Sequence, residues 1–255
     1  MRLFSVQNLT YDVPNRRLID GLNVAIQPAR VTALIGRNGS SKSTLLKLIA
    51  GQTTPSGGTI TYRDRPLASI PPRQLARELA YLPQVTPPAD GMQLEELVAL
   101  GRYPWRGALG RFRPEDHAAV ADAITRCGLT HLRGQLIDTM SGGERQRAWI
   151  AMMLAQGAET LLLDEPISAL DIAHQVEVLG LLQRMSRETG MSVIIVLHDV
   201  NMVARYCDHV IALAGGKLVL DAPTADLMTP DALHAIYGLP MQVSQQSGTA
   251  FALPV

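Results

Sequence analysis

The segment 31–44, VTALIGRNGSSKST, constrains this chain more than any other. Val31–Ile35 is a short apolar run suited to a buried strand, a glycine loop follows at once, and Ser43–Ala50 then reads as a helix. Strand, glycine-rich loop and helix in direct succession predict a phosphate-binding loop. Backbone amides of the loop and the positive end of the helix would face the anion. The candidate contacts are Gly36, Arg37, Asn38, Gly39, Ser40, Ser41, Lys42, Ser43 and Thr44. Lys42 has the reach to meet outer phosphates, and the Ser43 hydroxyl suits a magnesium ion. A plain Gly/Ser-rich turn would explain the glycines but not Lys42-Ser43 directly after a strand. The pattern G-x-x-x-x-G-K-[ST] is broken once, because Ser41 stands at the glycine before the lysine. Glycine there would supply bare backbone and a dihedral that other residues resist. Serine adds a hydroxymethyl group that either donates to a phosphate or crowds it. The expectation is weaker nucleotide binding than in a Ser41→Gly variant, with the fold intact.

Two further buried runs end in polar groups. Leu161–Leu163 leads into Asp164-Glu165, and Val193–Leu197 into His198-Asp199. In open α/β sheets, ligands sit at the carboxyl ends of the strands. Between these runs, Ile172, Val176, Leu179 and Leu182 recur at helical spacing, which makes 168–189 the crossover helix that a parallel sheet needs. The N-terminal part differs. Leu3–Tyr11, Leu22–Gln27 and Thr59–Tyr62 read as antiparallel strands, with Gly57-Gly58 as a turn. Ile211–Leu213 and Lys217–Leu220 flank Gly215-Gly216 as a hairpin. Residues 86–140 have another character again: Pro87-Pro88, then LEELVALGRYPWRGALGRF, then a helical stretch from Pro114 to Cys127. They read as a helical lobe inserted between the first and second core strands. The tail after Tyr237 is polar and weakly patterned, and is expected to dock loosely.

Composition removes several classes. Apolar residues are 47% of 255, so a full core is expected rather than disorder. Lys+Arg and Asp+Glu are both 23, which lacks the basic surplus of a nucleic-acid binder. No apolar run approaches the roughly 20 residues that span a bilayer. The N-terminal MRLFSVQNLTYD turns polar too soon for a signal peptide, so the expected place is the cytosol, or a membrane reached through a partner. Cys127 and Cys207 fit no metal spacing and read as free thiols.

The stretch 140–147, MSGGERQR, admits two readings. Ser141 and Glu144 form a capping box at the start of a helix. That leaves Gly142 and Gly143 unexplained, since glycine in a first turn costs roughly 0.5–1 kcal/mol relative to alanine. Bare backbone at the positive helix end makes sense if a phosphate comes close.

SGGER resembles the signature motif of the ABC ATPases, and the other motifs follow in that family's order. GRNGSSKST resembles the Walker A loop, TLLLDEPISALD the Walker B strand and D-loop, Gln84 in AYLPQ the Q-loop, and His198 in VIIVLHD the switch histidine. Ile167 departs from the usual threonine. The resemblance runs from Tyr11 to about Asp226 and implies an α/β fold. It would be a P-loop NTPase with a RecA-like core, an N-terminal antiparallel β-subdomain and an inserted helical subdomain. Residues 1–85 and 141–235 would form the core, 86–140 the helical lobe and 236–255 the tail.

The same resemblance implies ATP and Mg²⁺ as cofactors. Tyr11 would stack on adenine, and Ser43, Gln84 and Asp164 would attend the Mg²⁺. Glu165 would be the general base, organised with His198 and Gln84. Ser141, Gly142, Gly143 and Glu144 would contact an ATP held by another copy in a head-to-tail homodimer. The helical lobe would meet a polytopic membrane permease, with Tyr103 and Trp105 either as anchors or as lobe core. GRYPWRGALGRF, SALDIAHQVEVL and LHDVNMVARYCDHVIAL further resemble the ATPases of bacterial iron–siderophore importers, the ferric hydroxamate branch above all. That implies a peripheral subunit on the cytoplasmic face of the bacterial inner membrane, served by a periplasmic or lipid-anchored siderophore-binding protein. Haem and cobalamin importers share the architecture. ABC-type ATPases outside transport carry a coiled-coil insertion or tandem domains, which this chain lacks. A non-hydrolysing nucleotide-binding module would need neither Glu165 nor His198.

Overall fold

A computed structural model describes residues 2–107, 110–246 and 249–255. Ala108 and Leu109 of the 101–112 segment, and Ser247 and Gly248 of the tail, lie outside the described residues. The first elements are β1 (Phe4–Val13), β2 (Arg16–Ile26), β3 (Val31–Ile35), α1 (Lys42–Ile49), β4 (Gly57–Tyr62) and β5 (Arg65–Pro66). Then come α2 (Pro72–Glu78), β6 (Leu79–Leu82), α3 (Leu94–Leu100), α4 (Tyr103–Arg106), α5 (Pro114–Arg126), α6 (Gly142–Ala155) and β7 (Thr160–Leu163). The chain closes with α7 (Ile172–Thr189), β8 (Ser192–Val196), α8 (Val200–Tyr206), β9 (His209–Ala214), β10 (Lys217–Pro223), α9 (Thr224–Leu227), α10 (Pro230–Tyr237), β11 (Met241–Gln246) and β12 (Thr249–Pro254). Two compact units result, one of residues 1–70 with 183–255 and one of residues 71–182. Among the described residues no helix is long and apolar enough to cross a membrane.

In the first unit, β2, β1, β4 and β5 form an antiparallel sheet in that order. Phe4, Val6 and Leu9 of β1 and Ile19, Leu22 and Ile26 of β2 supply its buried face. Gly57 and Gly58 belong to β4 and are not a turn. The β1–β4 register slips between Gln7 and Thr10, and a Cβ on Gly58 would lie 2.4 Å from the Asn8 carbonyl oxygen. The glycine pair therefore serves a close approach at a bulge. The second sheet of this unit runs β10-β9-β3-β8. Here β3 is parallel to both β8 and β9, and every residue of β3 and β8 is buried. A parallel strand covered on both faces has this uniform apolar character. Gly215 and Gly216, both at positive φ, turn β9 into β10 as expected.

The tail departs from its expected loose docking. β11 and β12 pair as a hairpin, and Asn201 of α8 clamps it. The Asn201 amide donates to the Ala252 carbonyl at 3.2 Å and accepts from the Ala252 amide at 2.8 Å. Ala252 is consequently buried. Polar composition hid this because the contact is made through backbone atoms.

In the second unit, β6 and β7 are parallel, and α3, α5 and α6 pack on one another. Leu97 and Val98 of α3, Ala123 and Ile124 of α5, and Ile150 and Ala151 of α6 are buried there. One buried charge cluster ties the helices. Asp116 of α5, fully buried, accepts from Arg102 Nε at 2.9 Å, from the Arg113 amide at 2.9 Å and from Arg106. Arg102 also donates to the Ala155 carbonyl of α6 at 2.8 Å. Burial alone would raise the Asp116 pKa, but Arg106, the Arg113 amide and Arg102 outweigh it and hold the carboxyl well below its ordinary range. The crossover helix starts at the first residue of its apolar spacing rather than at 168. Ile172 is its first residue and is 72% exposed, while Val178, Leu179, Leu181 and Leu182 bury the helix.

Candidate active site

The first unit carries the phosphate loop. Leu34 of β3 is in register with Val196 of β8, so Gly36 and His198 leave the same carboxyl edge side by side. The Leu197 amide donates to the Leu34 carbonyl at 3.2 Å and fixes that alignment. Gly36 is required by space, because a Cβ there would lie 2.1 Å from the Leu213 carbonyl oxygen. Gly39 sits at φ +76, a region glycine enters without strain. Lys42 is buried, and its ammonium donates to the carbonyls of Gly36 at 2.9 Å and Arg37 at 3.1 Å. The Ser40 hydroxyl is buried with no hydrogen-bond partner among the described residues, an orphaned polar atom within the loop. Such an atom costs free energy unless something meets it. A loop phosphate of a nucleotide fits that role.

Ser41 adopts φ 77 and ψ 22, the left-handed conformation that explains why glycine is expected there. Its hydroxyl donates to the Leu18 carbonyl of β2 at 2.6 Å. The side chain is thus committed to the sheet behind the loop, and the expected choice between donating to a phosphate and crowding it is replaced by this third arrangement. Tyr11 of β1 is half-buried, with its hydroxyl 3.3 Å from Thr53 Oγ1. Beyond His198, Asp199 caps α8 by accepting from the Asn201 amide at 2.7 Å.

The second unit repeats the edge logic. Leu82 of β6 is in register with Leu163 of β7, so Gln84 and Glu165 stand two residues past the same edge. The Gln84 amide nitrogen donates to Glu165 Oε2 at 2.8 Å. That leaves the Gln84 carbonyl oxygen as its other polar atom, which with the Asp164 carboxylate gives the oxygen donors a hard cation prefers. Asp164 is buried, and its amide donates to the Leu82 carbonyl at 2.9 Å. Burial and the Asp164 charge push the neighbouring Tyr81 hydroxyl up to about 12. Glu165 itself holds φ 51, a left-handed backbone uncommon for glutamate. Observed outliers of this kind cluster at functional sites.

The signature segment lies in the same unit. Its capping box is real: Ser141 Oγ accepts from the Glu144 amide at 3.3 Å, and Glu144 Oε2 accepts from the Ser141 amide at 2.8 Å. The Ser141 interactions also hold the Glu144 carboxyl below its ordinary range. Trp105 in the lobe is engaged internally. Its Nε1 donates to the Gln156 carbonyl at 2.7 Å, and the guanidinium groups of Arg77 and Arg102 lie 4.8 and 5.2 Å from its ring centroid. Tyr103 is 62% exposed.

The structure therefore joins Gly36–Thr44 with His198 at one strand edge, and Gln84 with Asp164 and Glu165 at another. Sequence reasoning missed three partners, namely Leu18 for Ser41, His174 beside Gly143 and Asn201 for the tail. None has a local pattern, since each acts on a segment far away in the chain.

The chain is similar to known proteins over nearly its whole length. Residues 19–168 match the family model described as ABC transporter. The chain is 40% identical to the ferric enterobactin transport ATP-binding protein FepC of Escherichia coli (strain K12), over 98% of this chain and 93% of that protein. It is 35% identical to the iron(3+)-hydroxamate import ATP-binding protein FhuC of Bacillus subtilis (strain 168), over 95% and 90%. Among solved structures, an ABC transporter assigned to the metal-chelate type, in an inward-facing conformation, superposes with TM-score 0.86 at 27% identity. The match covers 100% of this chain and 98% of that one.

Proposed function

This chain belongs to the ABC transporter family, and on that premise we propose that it powers import of an iron–siderophore complex through a separate membrane permease. It is the ATP-binding subunit, an ATPase coupled to transport. The observation that carries the hydrolytic reading is the Gln84–Glu165 hydrogen bond of 2.8 Å at the β6–β7 edge. It orients a carboxylate beside Asp164, as a general base must be oriented before it can polarise a water.

Mg²⁺, when bound, would neutralise charge developing on the transferred phosphoryl group. Ser43, Asp164 and Gln84 are its proposed oxygen ligands. Gly36–Thr44 would cradle the phosphates, with Lys42 reaching the outer ones, and Tyr11 would stack on the adenine. His198 would assist Glu165. Ser141, Gly142, Gly143 and Glu144 would close on an ATP held by a second copy, so the working unit would be a head-to-tail homodimer. The lobe of residues 86–140 would meet the permease from the cytoplasmic face of the membrane, with exposed Tyr103 as an anchor. A siderophore-binding protein outside would deliver the cargo, and the siderophore assignment rests on the relatives' activities.

Two measurements test this. ATP turnover by the purified chain should fall by on the order of 100-fold or more in Glu165→Gln, and that variant should accumulate as an ATP-bound dimer. Rapid turnover by Glu165→Gln would remove the base from its role. In cells, deleting the gene should abolish uptake of radiolabelled ferric siderophore while haem and cobalamin uptake persist. The reverse pattern would reassign the cargo.

A further inference from the structure

Gly143 is hemmed in from within the chain. A Cβ built on it would lie 2.2 Å from Cδ2 and 2.5 Å from Cγ of the His174 imidazole, where ordinary contact begins at 3.4 Å. The imidazole is held in that place by a neighbouring carboxylate. Asp171 Oδ1 stands 2.9 Å from His174 Nδ1 and also accepts from the His174 backbone amide at 2.9 Å, so one carboxylate oxygen fixes both the ring and the backbone. The adjacent glycine faces the same wall more loosely, with Leu170 Cδ2 at 3.7 Å from a Cβ built on Gly142. The first turn of α6 thus rests on Leu170 and His174, and His174 makes the closer contact.

We infer that His174 is a positioning residue: its imidazole, aimed by Asp171, seats the Gly143 backbone and so sets where the α6 amides point. This rests on the reading that the signature turn acts on ATP held by another copy. On that reading, the glycine at 143 is demanded by His174 rather than by a phosphate. A methyl group there must displace the ring or the turn by more than 1 Å, since 2.2 Å has to become about 3.4 Å. A misplacement of about 1 Å can cost on the order of 100-fold in rate.

The test is a double-mutant cycle on the full chain with its permease, read by ATPase kinetics and by thermal melting. Gly143→Ala should lower kcat by on the order of 100-fold and lower the melting temperature, although alanine is the better helix former. His174→Ala should lower kcat several-fold with the KM for ATP unchanged, because the turn loses its seat but the phosphate loop is untouched. Combining the two should recover at least about tenfold in kcat over Gly143→Ala alone and raise the melt above that of His174→Ala. A double variant as inactive as Gly143→Ala, with Gly143→Ala melting at or above wild type, would overturn the assignment and return the glycine to a phosphate contact. Wild-type turnover in Gly143→Ala would overturn it too, whereas retained turnover in Glu165→Gln would strike the hydrolytic reading instead.

Discussion

Ser41 offers the sharpest test of whether the phosphate loop is understood. It is a non-glycine residue at φ 77, and its hydroxyl donates to the Leu18 carbonyl at 2.6 Å. Left-handed backbone costs an L-residue roughly 1–2 kcal/mol. A hydrogen bond of this kind returns about 0.5–1.5 kcal/mol net. Alanine would keep the strain and lose the bond, so Ser41→Ala should destabilise by about 1 kcal/mol. Glycine would lose the bond and shed the strain, while adding about 0.4–1 kcal/mol of unfolded-state freedom. The three effects nearly cancel, so Ser41→Gly should match wild type within about 0.5 kcal/mol. In a chain of this size about 1 kcal/mol corresponds to roughly 2–4 °C in melting temperature, which scanning calorimetry resolves. The expected order is wild type and Ser41→Gly together, with Ser41→Ala below both. Because the hydroxyl points to β2, ATP affinity should be alike in wild type and Ser41→Gly. Identical melts for wild type and Ser41→Ala would refute the argument by showing that the Leu18 bond contributes nothing. Tighter ATP binding by Ser41→Gly would restore the crowding that the sequence alone suggests.

Two other perturbations have defined outcomes. The Asp116 carboxyl is held below its ordinary value of 3.8, so the native state resists its protonation more than the unfolded chain does. Its contribution is fully present above about pH 4 and is lost as pH falls further toward the folded-state value. Asp116→Asn should therefore destabilise by about 3 kcal/mol at neutral pH and flatten the acid limb of a stability–pH curve. An unchanged acid limb would count against the cluster. Asn201→Ala removes both hydrogen bonds to Ala252, and backbone amide exchange across 241–246 and 249–254 should accelerate while α1 stays protected. Equal exchange in the two proteins would mean the hairpin holds without its clamp.

The strand ends were legible because they follow from local chemistry. An apolar run that stops at a polar pair places that pair at a sheet edge whatever the rest of the chain does, as at Leu161–Leu163 before Asp164-Glu165 and Val193–Leu197 before His198. The registers Leu34 with Val196 and Leu82 with Leu163 then bring like ends together. What escaped depends on pairs far apart in the chain. Ser41 finds a carbonyl at position 18, Gly143 meets a ring at 174 and Asn201 holds backbone at 252. Gly57-Gly58 misled for a related reason, since a close approach to Asn8 and a turn ask for the same residue.

The two signature glycines separate what folding needs from what turnover needs. Among the described residues, a Cβ at 142 meets only Leu170 at an ordinary 3.7 Å, so none of them forbids alanine there. Alanine in the first turn of a helix should even raise stability by up to roughly 0.5–1 kcal/mol. If glycine is nevertheless needed at 142, the reason must come from outside the chain, and an approaching phosphate is that reason. Gly142→Ala should melt at or slightly above wild type while its permease-stimulated ATPase falls. Gly143→Ala should lose both together. Stability and turnover moving in opposite directions at one glycine, and in the same direction at its neighbour, can be read from one pair of variants in one buffer. Wild-type turnover in Gly142→Ala would show that no phosphate approaches that amide, and the capping box would then be the whole account of Ser141 and Glu144.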